Sequence, residues 1–150
     1  MNINKVSADL QLLNTRITKL TVRNSLAEFN ETHPGKKTID VTYNIVESGT
    51  MPDGVHRAIL DLKVCLKAKF KDGSFSVTSI IRGAFQGAPA LSENAFNDML
   101  TINGCAALYS IIRGTISIIS TQLFSNGNIV LPLVNFVQFR EFEKQEHTQQ

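Results

Sequence analysis

The 150-residue sequence has no tryptophan, two cysteines, four prolines and three histidines, and its charges nearly cancel, with 15 Lys and Arg against 13 Asp and Glu. Each scarcity removes a class of function. Cys65 and Cys105 lack CxxC spacing and sit in apolar patterns, so neither a metal site nor a redox pair is expected, and both read as small buried hydrophobes. His33, His56 and His147 fall in a loop, at a strand start and in the tail, too scattered for a catalytic set. A formal charge of +2, dispersed along the chain, gives no nucleic-acid footprint. No serine lies in a GxSxG elbow, and no glycine-rich loop ends in Lys-Ser or Lys-Thr. Met1 to Asp9 shows no secretory pattern, and no later apolar run looks long enough to span a bilayer, so a cytoplasmic protein without membrane insertion is expected. The length suits one domain over 1–150, with about 1–9 and 145–150 expected to be flexible.

What the sequence has in quantity is alternation. Asp72-Gly73 between two alternating runs predicts a type I′ hairpin with Lys71 opposite Ser74. That register pairs Phe70 with Phe75, Ala68 with Val77, Leu66 with Ser79, Val64 with Ile81, Leu62 with Gly83 and Leu60 with Phe85 on an apolar face. The other face then sets Lys69 against Ser76, Lys67 against Thr78, Cys65 against Ile80 and Lys63 against Arg82, the last a like-charge pair needing Asp61 or Asp40 nearby. Upstream, Ile39, Val41, Tyr43 and Ile45 alternate with Thr38, Asp40, Thr42 and Asn44 as a half-buried strand. Leu10 to Asn24 alternates poorly, consistent with a strand buried partly on both faces or with a bulge. The segments 30–35 and 47–54 read as loops.

After Gly87 the period changes from two to about 3.6. Ser92 is a candidate N-cap, with Leu91 and Phe96 placed across it as a staple. A short helix should run to Asn103, burying Phe96, Met99 and Leu100, with Gly104 interrupting it. From Cys105 an apolar stripe takes in Leu108, Tyr109, Ile112, Ile116, Ile119 and Leu123, with Ile111 and Ile118 on a flank, a broader surface than one partner covers. Asn135 to Gln138 resembles a capping box opening a last helix that carries Phe136, Phe139 and Phe142 on or near one side. The expected fold class is α+β: a four-stranded antiparallel sheet followed by two or three helices packed on one face.

No convergent set of ionisable groups stands out. Asp61 alternating with Lys63 and Lys67 reads as an exposed polar face rather than an acid flanked by bases. A rival to a binding protein is a small α+β enzyme or ligand binder, with a pocket between sheet and long helix holding polar groups from Asp40, Asp61 or His56.

Ile17-Thr18-Lys19 in a Thr- and Val-rich first strand, the Phe85-Gln86-Gly87 strand ending, Leu108-Tyr109 through Arg113, and Leu131-Pro132 to Asn135-Phe136 together resemble the SecB family of protein-export chaperones, from about Leu10 to Phe142. The resemblance implies a cofactor-free, ATP-independent holdase rather than an enzyme, assembled as a homotetramer, a dimer of dimers. Its apolar grooves would hold unfolded polypeptides, either for export or for a dedicated client such as an antitoxin. Carried onto this chain, it implies Ile39, Val41, Tyr43, Ile45, Phe136, Phe139 and Phe142 as client contacts. Met99, Ile111, Ile116, Ile118 and Ile119 become oligomer contacts, because the apolar surface exceeds what one small domain buries. Two departures stand out. Family helices usually have proline after the Leu-aromatic pair, where this chain has Ser110. Family members also dock the SecA motor through sheet carboxylates; Leu20 and Asn24 stand at the matching first-strand positions, so SecA docking is not expected.

Overall fold

The computed structural model describes residues 8–25, 35–125 and 127–148, the last three without their side chains. The positions expected as loop at 30–34, with His33, and most of the segment 1–9 lie outside the described residues, as do 149–150. Four strands, β1 (Leu10–Asn24), β2 (Lys36–Thr50), β3 (His56–Phe70) and β4 (Gly73–Gly87), form one antiparallel sheet in the order β1-β4-β3-β2. Helix α1 (Glu93–Met99), a π-helical turn (Leu100–Gly104), α2 (Cys105–Leu123) and α3 (Phe136–Thr148) follow. The expected class is the observed one, with all helices on one side.

The alternation of β3 and β4 does its predicted work: Ala58, Leu60, Leu62, Val64, Leu66 and Ala68 are buried with Phe75, Val77, Ile81 and Phe85. Their register is corrected by two residues. Gly73 does not take positive φ but opens β4, so the turn centres on Lys71-Asp72 and Phe70 faces Gly73. A shift of two preserves both faces and changes every partner. The gain is electrostatic. Lys63 now faces Ile80, while Asp61 faces Arg82 and accepts both guanidinium hydrogen bonds, at 2.7 and 2.8 Å.

β1 realises the bulge alternative, twice. Register shifts at Leu13 and Thr18 restart its alternation, so Leu12, Ile17, Leu20 and Val22 all face the helix side, opposite Phe85, Ile81, Ser79 and Val77. β2 carries one shift, at Val46, and runs to Thr50, past the expected loop boundary at Glu47. A tight turn at Gly54, φ +82°, with Asp53 accepting from the Val55 amide, returns it to β3.

Ser92 caps α1, its hydroxyl accepting from the Ala95 amide. Gly104 does not interrupt the helix. The π turn keeps 93–123 continuous, and a Cβ at Gly104 would come within 3.3 Å of Leu60 and 3.4 Å of Leu100 and Phe85, so glycine here permits close approach to the sheet. Continuity makes this 31-residue helix apolar enough by length and composition to cross a membrane, against expectation. Its stripe of Cys105, Leu108, Tyr109, Ile112 and Ile116 is buried in the core formed with the sheet. α3 stays helical through Thr148, beyond the point near 145 where structure was expected to fade.

Among the described residues, the opposite face of the sheet carries no helix. Pairing places Arg16, Lys19 and Arg23 of β1, Arg82 of β4, Arg57, Lys63, Lys67 and Lys69 of β3 and Lys36 of β2 there, nine cations against Asp40, Glu47 and Asp61. Charge that looked dispersed along the chain is gathered on one face. Cys65 also lies there, half-exposed and 3.6 Å from the Thr78 hydroxyl, and so is not the buried hydrophobe expected, whereas Cys105 is fully buried.

Candidate polypeptide-binding groove

The site begins with a strap. Tyr109 and Arg113, one turn apart on α2, reach the same extended segment: Tyr109 Oη donates to the Pro132 carbonyl at 2.8 Å and Arg113 Nε to the Leu131 carbonyl at 2.7 Å. Two residues further out, the Ser120 hydroxyl accepts from the Ile129 amide at 2.8 Å, and Asn128 donates its side-chain amide to the Ser117 hydroxyl. Ile129 and Leu131 therefore plug the core while Val130 and Leu133 face outward. Asn135 then starts α3, its Oδ1 accepting from the amides of Val137 and Gln138. Ser110 donates to the Ala106 carbonyl within an unbroken helix.

Strap and cap fix the direction of α3, and an aromatic ladder follows. The Tyr109 and Phe136 ring centroids are 5.7 Å apart, Phe136 and Phe139 5.7 Å, and Phe139 and Tyr43 6.1 Å, each pair tilted or edge-on. This ladder links α2 through α3 to the edge strand β2. The seven expected client contacts thus separate by depth. Phe136 is buried in the chain's own core and serves as foundation. Ile39, Val41, Tyr43, Ile45 and Phe139 are half-buried, packed against that core. Phe142 stands at the rim, 67% exposed. Of the expected oligomer contacts, Ile116 is core at 1% exposure, Met99 and Ile119 are half-buried, and Ile111 and Ile118 reach the surface at 37% and 66%.

Sequence reading missed the polar end of the groove. A cleft of about 510 Å³ is lined by Tyr43, Asn97, Asp98, Thr101, Arg140, Glu143 and Lys144, with Arg140 ion-paired to Asp98 across α3 and α1. The helical period from Phe136 through Phe139 and Arg140 to Glu143 was its readable signal. Burial, with the Glu143 carboxylate adding to it, pushes the Tyr43 phenol up to about 12 and the Cys105 thiol up to about 12. Both stay neutral, with the Tyr43 hydroxyl hydrogen-bonded to the Glu143 carboxylate and the Cys105 thiol sealed in the core, so neither is a reactive anion.

The residues of the rival pocket do not converge. Asp40 and Asp61 lie on the open face, the latter engaged by Arg82. His56 lies on the helix side, stacked on Phe96 at 5.6 Å with Nδ1 2.9 Å from the Thr50 hydroxyl. No group of three potential metal ligands occurs among the described residues.

The sequence matches no family model and no curated protein. Among solved structures the fold matches a SecB-like chaperone of Mycobacterium tuberculosis, determined in complex with a peptide from an antitoxin, with a TM-score of 0.60 and 13% identity over 87% of this chain and 94% of that one. The fold is SecB-like. A Streptococcus agalactiae protein of unknown function is also similar, with a TM-score of 0.52 and 12% identity over 82% of this chain and 96% of that one. The SecB-like fold agrees with the four-stranded antiparallel sheet followed by helices that the resemblance implied.

Proposed function

We propose that this protein is an ATP-independent holdase that keeps a client polypeptide unfolded by laying it along the groove between β2 and α3. The observation that carries the reading is the half-covered row Ile39, Val41, Tyr43 and Ile45 beside Phe139, ending at the exposed Phe142. Burying one aliphatic or aromatic client side chain contributes roughly 1.5–3 kcal/mol, so three or four give about 5–10 kcal/mol, comparable to the cost of association. A single groove therefore binds weakly and reversibly, and several grooves per assembly give useful retention. A neighbour in fold bound to an antitoxin peptide supports a dedicated client over bulk export, and the open face, with cations where a basic motor tail would need carboxylates, gives no support to SecA docking.

The assembly in this reading is a homotetramer in the cytoplasm. Ile111 and Ile118 on α2, with Met99 and Ile119 beside them, supply one contact, and Ile116 supports it from within the core. The reading assigns no catalytic step and no cofactor. It is tested by adding the purified protein, without nucleotide, to an aggregating unfolded chain: suppressed light scattering is the expected result, and unchanged scattering at molar excess sinks the reading.

A further inference from the structure

The cations of the open face are arranged as well as numerous. Lys19, Ile80 and Lys63 lie side by side across β1, β4 and β3; two residues along come Thr21, Thr78 and Cys65, and two further on Arg23, Ser76 and Lys67. With strands about 4.8 Å apart and rising about 3.3 Å per residue, the four cations mark a rectangle roughly 10 by 13 Å. Its floor is hydroxyl-bearing, and a cleft of about 230 Å³ opens there, lined by Lys19, Thr21, Arg23, Ser76 and Thr78. None of the four has an ion-pair partner among the described residues, whereas Arg82 on the same face is engaged by Asp61. Asp40 stands outside the rectangle, on β2. Cations gathered this closely and left unpaired repel one another, and an anionic partner relieves that repulsion.

We propose that this face docks an acidic, extended segment of a partner polypeptide, lying along the lane of β4. In an extended chain, side chains alternate sides, and residues four apart on one side are about 13 Å apart, the separation of Lys19 from Arg23 and of Lys63 from Lys67. Four carboxylates within six residues, two to each side, therefore meet all four cations. The donor-rich floor suits the carbonyls of the segment. A single-stranded nucleic acid is the less fitting partner, because among the described residues pairing puts no aromatic side chain on this face for bases to stack on.

The experiment is fluorescence anisotropy on the full chain with a labelled Glu-Ser peptide of repeating Glu-Glu-Ser-Ser, which puts carboxylates four residues apart on both sides, a Lys-Ser peptide of the same pattern and length, and oligothymidylate. The Glu-Ser peptide is expected to bind in preference to both others, more weakly as salt rises, and to lose about tenfold or more in affinity in the Lys19→Glu, Arg23→Glu, Lys67→Glu variant. Lys→Gln and Arg→Gln versions with unchanged circular dichroism guard against misfolding and should weaken binding in the same direction. Phe142→Ser, in the β2 and α3 groove, should leave this binding unchanged, which separates the proposal from the holdase reading. Binding unaltered by the sheet substitutions, binding lost with Phe142→Ser, or oligothymidylate binding as tightly as the peptide would each overturn it.

Discussion

The two edge strands are both 15 residues long and both turn an apolar row towards the helices, yet the rows fare differently. On β2 the row is half-buried, with Phe139 of α3 against Tyr43. On β1, Leu12, Ile17 and Leu20 remain 37%, 39% and 42% exposed. Helical cover reaches β1 at its ends, where Leu10 and Val22 pack against the core and Asn24 donates to the Leu123 carbonyl, but leaves the stretch of Leu12, Ile17 and Leu20 between them open. A covered row with a gap beside it suits a flexible client that enters and leaves. An uncovered row on a long strand edge suits a rigid copy of the same surface, since an exposed edge left unpaired invites pairing. One displacement of the helices thus produces two kinds of half-finished surface.

The largest expected effect breaks that comparison at β1. Ile17→Asp with Leu20→Asp should convert the proposed tetramer to the two-chain species held by the α2 contact in native mass measurement, while far-ultraviolet circular dichroism stays unchanged. The same change at Ile112, which is fully buried, should unfold the chain. If the β1 variant keeps its assembled mass, the uncovered row is not an interface.

The next effect lies on β2. Phe139→Ala removes the ring joining Phe136 to Tyr43 and should cost about 2–4 kcal/mol of stability, while Phe142→Ala, at the rim, should cost no more than about 0.5 kcal/mol. Both should weaken client binding, Phe142→Ala by several-fold in a titration with an unfolded chain. A rim variant that binds clients normally would confine the groove to the β2 row.

The sheet was legible because burial and pattern coincide: β3 and β4 alternate strictly, and a register error of two still leaves every side chain on its own face. The partner choice was not legible from the turn, since Asp72-Gly73 signals a turn without fixing its centre; the unwelcome pairing of Lys63 with Arg82 was the usable warning, and Asp61 resolves it. β1 defeated a period-two reading because two bulges change the spacing of its inward residues from two to three, at Leu12 to Thr15 and Ile17 to Leu20. On α3, a turn of about 100° per residue places Phe142 about 120° from Phe136, so three phenylalanines at equal spacing could not share one environment. Gly104 read as a break because helix propensity says nothing of what the helix packs against; its value lies in the proximity of Leu60 and Phe85.

A smaller effect concerns pH. The Tyr43 phenol and Cys105 thiol are raised from 10.0 and 9.0 to about 12 each, chiefly by burial, with Glu143 adding to both. Folded values above unfolded ones mean that this contribution to stability is complete below pH 9 and is lost as pH rises towards about 12. Denaturant midpoints should therefore fall across that window. Glu143→Gln should shift the tyrosine ultraviolet titration downward and shrink the fall.

The smallest effect returns to the uncovered side. The Ser79 hydroxyl on β4, opposite Leu20, is buried without a hydrogen-bond partner among the described residues. A buried hydroxyl left unsatisfied costs roughly 1–3 kcal/mol, part of which Ser79→Ala recovers at the expense of a little packing. The variant should gain up to about 1 kcal/mol in single-chain unfolding. Because the hydroxyl is already sealed inside the single chain, the gain should be the same in the assembled protein. Measuring the same substitution in the wild-type background and in the Ile17→Asp, Leu20→Asp background therefore reports whether the core beneath Leu20 stays closed when the β1 row is altered.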